Sequence, residues 1–339
     1  MMKKTLIFTL LALLAASCTK DGNQTVTSPR ETVRLEFRIP VSAKTRTLAD
    51  DEANIVSLDA LAFRSDGKLD SYARTDSPEI IDGKLSVSLS ATKGETLSWF
   101  VIANAPSGAL EEIATKSALE SKRALLSENA SDAFLMTSDG TGTYNSASQT
   151  VNVSLTRMVS KVSVASVTAA FLTGTMASAA MTLDAVYLIN AAGSVRYDLT
   201  PVAETWYNRL VADGTLGSPV AGFLYRDASS AALSASNRAL DYVFYACPNP
   251  TANSVDSSTA PEWSARNTRL VLETSVNGVK NYYPITLPAM RSNYEYAIRE
   301  VVLNGYGSSA PDRPVVRNGI TYSVSVNPWE TETRDITME

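Results

Sequence analysis

The chain has 339 residues, a net charge of −5 and no histidine. Without imidazole it lacks the commonest metal ligand and the commonest general base, so His-ligated zinc sites, Ser-His-Asp triads and Cys-His dyads cannot be built. The acidic balance and the lack of any basic stripe interleaved with aromatics argue against a nucleic-acid surface, and a chain of this length suits two domains.

Residues 1–17 have the three-part grammar of a secretory signal: the cationic pair Lys3 and Lys4, an apolar core over 5–14, and the small residues Ala15, Ala16 and Ser17. The apolar run is too short for a membrane span. Cys18 follows directly, as lipoprotein processing requires, although Ala15 stands where such signals usually carry Leu. Acyl chains on Cys18 would hold a precursor on a bilayer; the alternative is ordinary secretion with an incidental cysteine. Once Cys18 carries lipid, only Cys247 remains, so the fold relies on core burial and not on an internal disulfide.

Residues 19–32 are polar and aperiodic, a flexible tether. Then Val33, Leu35, Phe37, Ile39 and Val41 alternate with Arg34, Glu36, Arg38 and Pro40, the period of a strand with one buried face. Pro40 places that strand at an edge or near its own end. The stretch 42–54, with Arg46 between two threonines and the acidic run Asp50, Asp51 and Glu52, reads as an exposed loop.

Hairpin-spaced strands are expected at 58–63, 85–89 and 97–103, with turns at Ser65-Asp66-Gly67 and Asp82-Gly83. Leu110, Ile113, Leu119 and Leu126 among good helix formers predict a helix over 108–128. Strand patterns return at 134–136, 151–155 and 159–164, separated by a turn-rich stretch over 138–145. In the second half strands are expected at 183–190, 242–246, 270–274, 282–287 and 294–303, with a hairpin at Asn277-Gly278. The Ala/Ser-rich stretches 228–237 and 251–264 read as surface loops. Cys247 reads as a buried free thiol.

The chain closes on a second strict alternation, Ile320, Tyr322, Val324 and Val326 against Thr321, Ser323, Ser325 and Asn327, followed by Pro328-Trp329. The first and last alternating segments have interchangeable chemistry, and either could fill one apolar groove with alternate side chains. Each also has an ordinary reading: the first as a permanent strand with Arg46 a solvated loop residue, the last as a strand paired within its own domain, with Trp329 a core anchor.

Several local motifs join these features: Lys44-Thr45-Arg46-Thr47, Phe134-Leu135-Met136-Thr137, the run from Val153-Ser154-Leu155-Thr156-Arg157-Met158 into Val159-Ser160-Lys161-Val162, Arg291-Ser292-Asn293-Tyr294-Glu295-Tyr296, and Val326-Asn327-Pro328-Trp329-Glu330. Together they resemble the Bacteroidota fimbrillins, the type V pilins that form major fimbrial subunits. The resemblance implies a mainly β chain of two transthyretin-like β-sandwich domains with one short helical region in the first. It implies a signal peptide (1–17), a lipidated propeptide with a removable strand (18–46), and two domains meeting near Arg157 (47–157 and 158–339).

In that scheme Cys18 carries lipid, an Arg-specific trypsin-like protease cuts between Arg46 and Thr47, and Val33, Leu35, Phe37, Ile39 and Val41 leave with the propeptide. Ile320, Tyr322, Val324 and Val326 then serve as the donor strand of a neighbouring copy, in a filament carrying accessory subunits and supporting adhesion. The precursor would sit on the outer membrane through its lipid and the product in a cell-surface fimbria, with no cofactor and no catalysis. The alternatives are an accessory anchor or tip adhesin, and a surface carbohydrate-binding lipoprotein or glycosidase. For the last, Asp50-Asp51-Glu52 and Glu111-Glu112 are the densest carboxylates, and nothing in the sequence sets two of them across a cleft. Asp139-Gly140-Thr141-Gly142 lacks the Lys-Ser/Thr ending of a phosphate loop and reads as a turn.

Overall fold

The computed structural model describes residues 31–40, 51–209, 222–253, 263–316 and 318–329. The described residues from Thr32 onward fall in one compact unit. The first strands are β1 (Thr32–Pro40), β2 (Ser57–Phe63), β3 (Leu69–Asp76), β4 (Lys84–Thr92) and β5 (Thr96–Ala103). After them come a helix, α1 (Lys116–Ser121), and the strands β6 (Arg123–Leu125), β7 (Met136–Thr143), β8 (Ser148–Asn152) and β9 (Thr156–Arg157). They make two sheets, β4-β1-β8 and β3-β2-β5-β7-β9. Period-2 burial drives both: Leu85, Val87 and Leu89 of β4 point inward while Ser86, Ser88 and Ser90 lie outside. The sheets share an apolar core in which Phe37 of β1 meets Trp99 of β5, ring centroids 5.2 Å apart.

The second half begins with β10 (Ser160–Thr168), β11 (Met181–Ile189), β12 (Ala191–Ala192), β13 (Ser194–Arg196), β14 (Trp206–Tyr207), β15 (Tyr225–Leu233) and β16 (Arg238–Ala246). It closes with β17 (Arg269–Val276), β18 (Val279–Thr286), β19 (Tyr294–Ile298), β20 (Val301–Leu303), β21 (Ile320–Tyr322) and β22 (Ser325–Pro328). One sheet runs β15-β11-β17-β18; the other is built on β10, with β16 on one side and β19 with β20 on the other. The β17–β18 hairpin turns through Asn277 and Gly278 at φ of 48° and 81°, the left-handed pair that an Asn-Gly turn requires. The fold is thus mainly β, in sandwich-packed sheets with very little helix.

Four expectations give way to tertiary partners. The helix expected over 108–128 shrinks to α1, capped by Thr115, whose hydroxyl accepts from the Ala118 N–H at 3.1 Å. Beyond Lys122 the chain turns extended because β6 pairs with β13, Ala124 opposite Val195. The stretch 228–237, read as a loop, lies largely in β15, an edge strand that owes its conformation to β11 and takes up a bulge through Ser229 and Ser230 at positive φ. The acidic run read as wholly exposed contains a buried residue, Glu52.

The fourth departure is 138–145. Most of it, including the Asp139 to Gly142 stretch read as a turn, is strand β7, paired along the whole of β5. Its glycines serve packing rather than turning: a Cβ on Gly140 would lie 2.3 Å from Trp99 Cζ2, so the indole occupies the place of a side chain. Gly140→Ala is therefore expected to lower the urea unfolding free energy by about 1–3 kcal/mol, the usual cost of overpacking, since Trp99 is itself wedged against Phe37.

Candidate functional site: the first and last strands

β1 is the middle strand of its sheet. It pairs antiparallel with β4 from Thr32 opposite Thr92 to Pro40 opposite Lys84, and parallel with β8 from Arg34 opposite Ser148 to Arg38 opposite Asn152. Pro40 is its final residue, where a missing N–H costs least. Val33, Leu35 and Phe37 are fully buried and Ile39 nearly so. β4 and β8 meet only through β1. The wall beside Phe37 includes Trp99.

The last strand sits differently. β21 pairs with β20 (Ile320 opposite Leu303) and β22 with β19 (Val326 opposite Tyr296), along the outer edge of the β10 sheet. Ile320 and Val324 pack partly against the core, whereas Tyr322 and Val326 each keep 37% of their surface exposed. Such a strand is held chiefly by its ladder and by the residue that ends it.

That residue is Trp329, 4% exposed and seated in a closely knit box. Its Nε1 donates to Glu52 Oε2 at 3.1 Å, and its backbone N–H donates to the Asn293 carbonyl at 2.7 Å. The Arg157 guanidinium lies 4.5 Å from the indole centroid, and Phe134 and Tyr245 complete the walls at 5.5 and 5.7 Å. Glu52 also accepts from the Tyr245 hydroxyl at 2.5 Å and pairs with Lys161 at 3.0 Å, while its carbonyl accepts from Arg157 Nε at 3.0 Å. Burial, together with Glu52 as acceptor, pushes the Tyr245 hydroxyl pKa far up, and burial pulls the Arg157 guanidinium below its ordinary value. A buried carboxylate with this many donors is well satisfied.

The box gathers motifs that are scattered in sequence. Phe134 starts one, Arg157 and Lys161 lie in the second, Asn293 in the third and Trp329 in the last. Backbone bonds sew them together: Met158 N–H to the Leu135 carbonyl at 2.9 Å and Asn293 N–H to the Val159 carbonyl at 2.9 Å. Glu52 was missed because one buried carboxylate in an acidic run has no pattern of its own. Arg157 and Lys161 carried no signal beyond family likeness.

Of the residues singled out in sequence, Val33, Leu35, Phe37 and Ile39 share the inner face of β1, while Ile320 and Tyr322 lie in β21, Val326 in β22 and Val324 between the two. Cys18, Val41, Arg46 and Thr47 lie outside the described residues. Cys247 is a buried free thiol whose pKa burial pushes far up, which leaves it protonated and inert. Among the described residues no group of three or more His, Cys, Asp and Glu could hold a metal, and no helix is long and apolar enough to cross a membrane.

Residues 34–182, from β1 into β11, match the major fimbrial subunit protein (FimA) family. Over that span the chain resembles the fimbrillins. Solved structures extend the likeness in fold to most of the chain. A fimbrilin (FimA) from Porphyromonas gingivalis is 15% identical at a TM-score of 0.57, over 89% of this chain and 98% of that one. A candidate cell adhesion protein from Parabacteroides distasonis is 17% identical at 0.63, over 89% and 100%. The tip fimbrial protein Mfa3 from Porphyromonas gingivalis, with a C-terminal truncation, is 16% identical at 0.52, over 88% and 100%. No curated protein matches the chain. The fimbrillin resemblance carried by the sequence motifs is therefore borne out.

Proposed function

We propose that the protein is a structural subunit of a cell-surface fimbria that supports adhesion: exported as a precursor lipidated on Cys18, cut between Arg46 and Thr47 by an Arg-specific protease, and polymerised by donor-strand exchange. The observation that carries this reading is the contrast between the two ends of the fold. The first strand fills a groove completely and joins two strands that share no other partner, whereas a last strand of the same apolar alternation lies on an edge with half of those side chains well exposed.

Loss of β1 would uncover an apolar trough and two unpaired strand edges, surfaces that drive association with another chain. Refilling it with four apolar side chains is worth roughly 6–12 kcal/mol before ordering costs. A neighbour's terminal strand inserted in that way makes a head-to-tail contact, which propagates as an open filament. The likeness to the fimbrial subunit family supports this reading and favours a structural over a catalytic role. Accessory subunits at base and tip are further expected partners. Within this scheme the division into 47–157 and 158–339 would make the Trp329 box a junction between an N-terminal and a C-terminal domain.

The test is the amino terminus of the protein recovered from surface filaments. Sequencing is expected to give Thr47. A start at Cys18, with lipid attached, in assembled filaments would refute the maturation scheme.

A further inference from the structure

This inference rests on the donor-strand reading above and specifies it. We propose that the C-terminal strand of a second copy occupies the β1 groove in the direction opposite to β1, with Tyr322 taking the place of Phe37.

Side-chain size decides the matter. Along β1 the groove holds Val33, Leu35, Phe37 and Ile39, so its largest site is the third, beside Trp99. Along the donor the order is Ile320, Tyr322, Val324, Val326, with the aromatic second. Run in reverse, the donor sets Ile320 in the site of Ile39, Tyr322 in that of Phe37, Val324 in that of Leu35 and Val326 in that of Val33. Every site then keeps its occupant's size to within one methylene or one hydroxyl, the kind of exchange that packed cores tolerate.

The two co-directional registers fit worse. With Ile320 in the site of Val33, Tyr322 is forced into that of Leu35, and Val324 leaves a cavity where Phe37 had been. With Tyr322 in the site of Phe37, Asn318 falls in the fully buried site of Val33, a polar group without partners. Reversal makes the β4 ladder parallel and the β8 ladder antiparallel, and both arrangements satisfy backbone groups. The outward residues Thr321, Ser323, Ser325 and Asn327 then replace Arg38, Glu36, Arg34 and Thr32.

The registers are separable by cysteine cross-linking, because Arg34 faces Ser90, Arg38 faces Ser86 and Pro40 faces Lys84 on β4. Three double variants of the full precursor, Ser325→Cys with Ser90→Cys, with Ser86→Cys or with Lys84→Cys, are cut by an Arg-specific protease, polymerised under reductant and then oxidised. Cys247 is buried and does not compete. The expected result is a boiling-resistant, reductant-sensitive ladder from the Ser90 pair alone. A ladder from the Ser86 or the Lys84 pair overturns the reversed orientation while leaving donor-strand exchange standing. Polymers that form with no covalent ladder in any variant show that another segment fills the groove, which overturns this proposal as well. Failure of the unmutated precursor to polymerise after cutting overturns the underlying functional reading and the orientation with it.

Discussion

An Arg46→Ala precursor is expected to form no polymer after treatment with an Arg-specific protease, where the unmutated precursor gives a boiling-resistant ladder on a denaturing gel. The reason lies in β1. Its four inward side chains are nearly or fully buried, and it forms every ladder of the β4-β1-β8 sheet. While attached, it competes at an effective concentration that no separate chain can match. It also buries apolar surface on the order of 6–12 kcal/mol. Cutting the tether turns that intramolecular competitor into a dissociable peptide. Polymerisation of the Arg46→Ala precursor at the unmutated rate would show either that the groove opens without cutting or that it is not used.

The second large effect is expected at Trp329. Trp329→Ala removes the indole from a box of Glu52, Phe134, Arg157 and Tyr245, and truncations of this size in buried sites cost about 3–5 kcal/mol. The change falls on the one deeply buried anchor of an otherwise exposed edge strand. It should therefore appear as local opening of residues 320–328 rather than as global unfolding. Amide hydrogen exchange there should accelerate by about a hundredfold or more, at about 1.4 kcal/mol per factor of ten. Amides of β1 and β4, held in a separate sheet, should be unaffected. A uniform rise across both sheets would show instead that Trp329 supports the whole unit.

Legibility in the sequence tracked the physics of each element. β1 and β4 were visible because half of each strand faces an apolar interior, and a period of two survives in a single sequence, as it does in the terminal segment. Asn277-Gly278 was visible because few residue pairs accept two positive φ values in succession. The 138–145 stretch was misread because its glycines look like turn residues, when Gly140 admits the ring of Trp99 and Gly142 that of Tyr144. β15 and β6 have compositions that favour loop and helix respectively, and become strands because β11 and β13 offer them ladders.

The sequence by itself determined the alternating strands and the exclusion of histidine chemistry, since these reside in local order or in composition. Only the tertiary structure decided that the first strand is central and filled while the last is peripheral, because burial depends on which strands lie on either side. It alone brought Glu52, Phe134, Arg157, Asn293 and Trp329 into one box, since five positions spread from one end of the fold to the other leave no periodic trace until the sheets close around them.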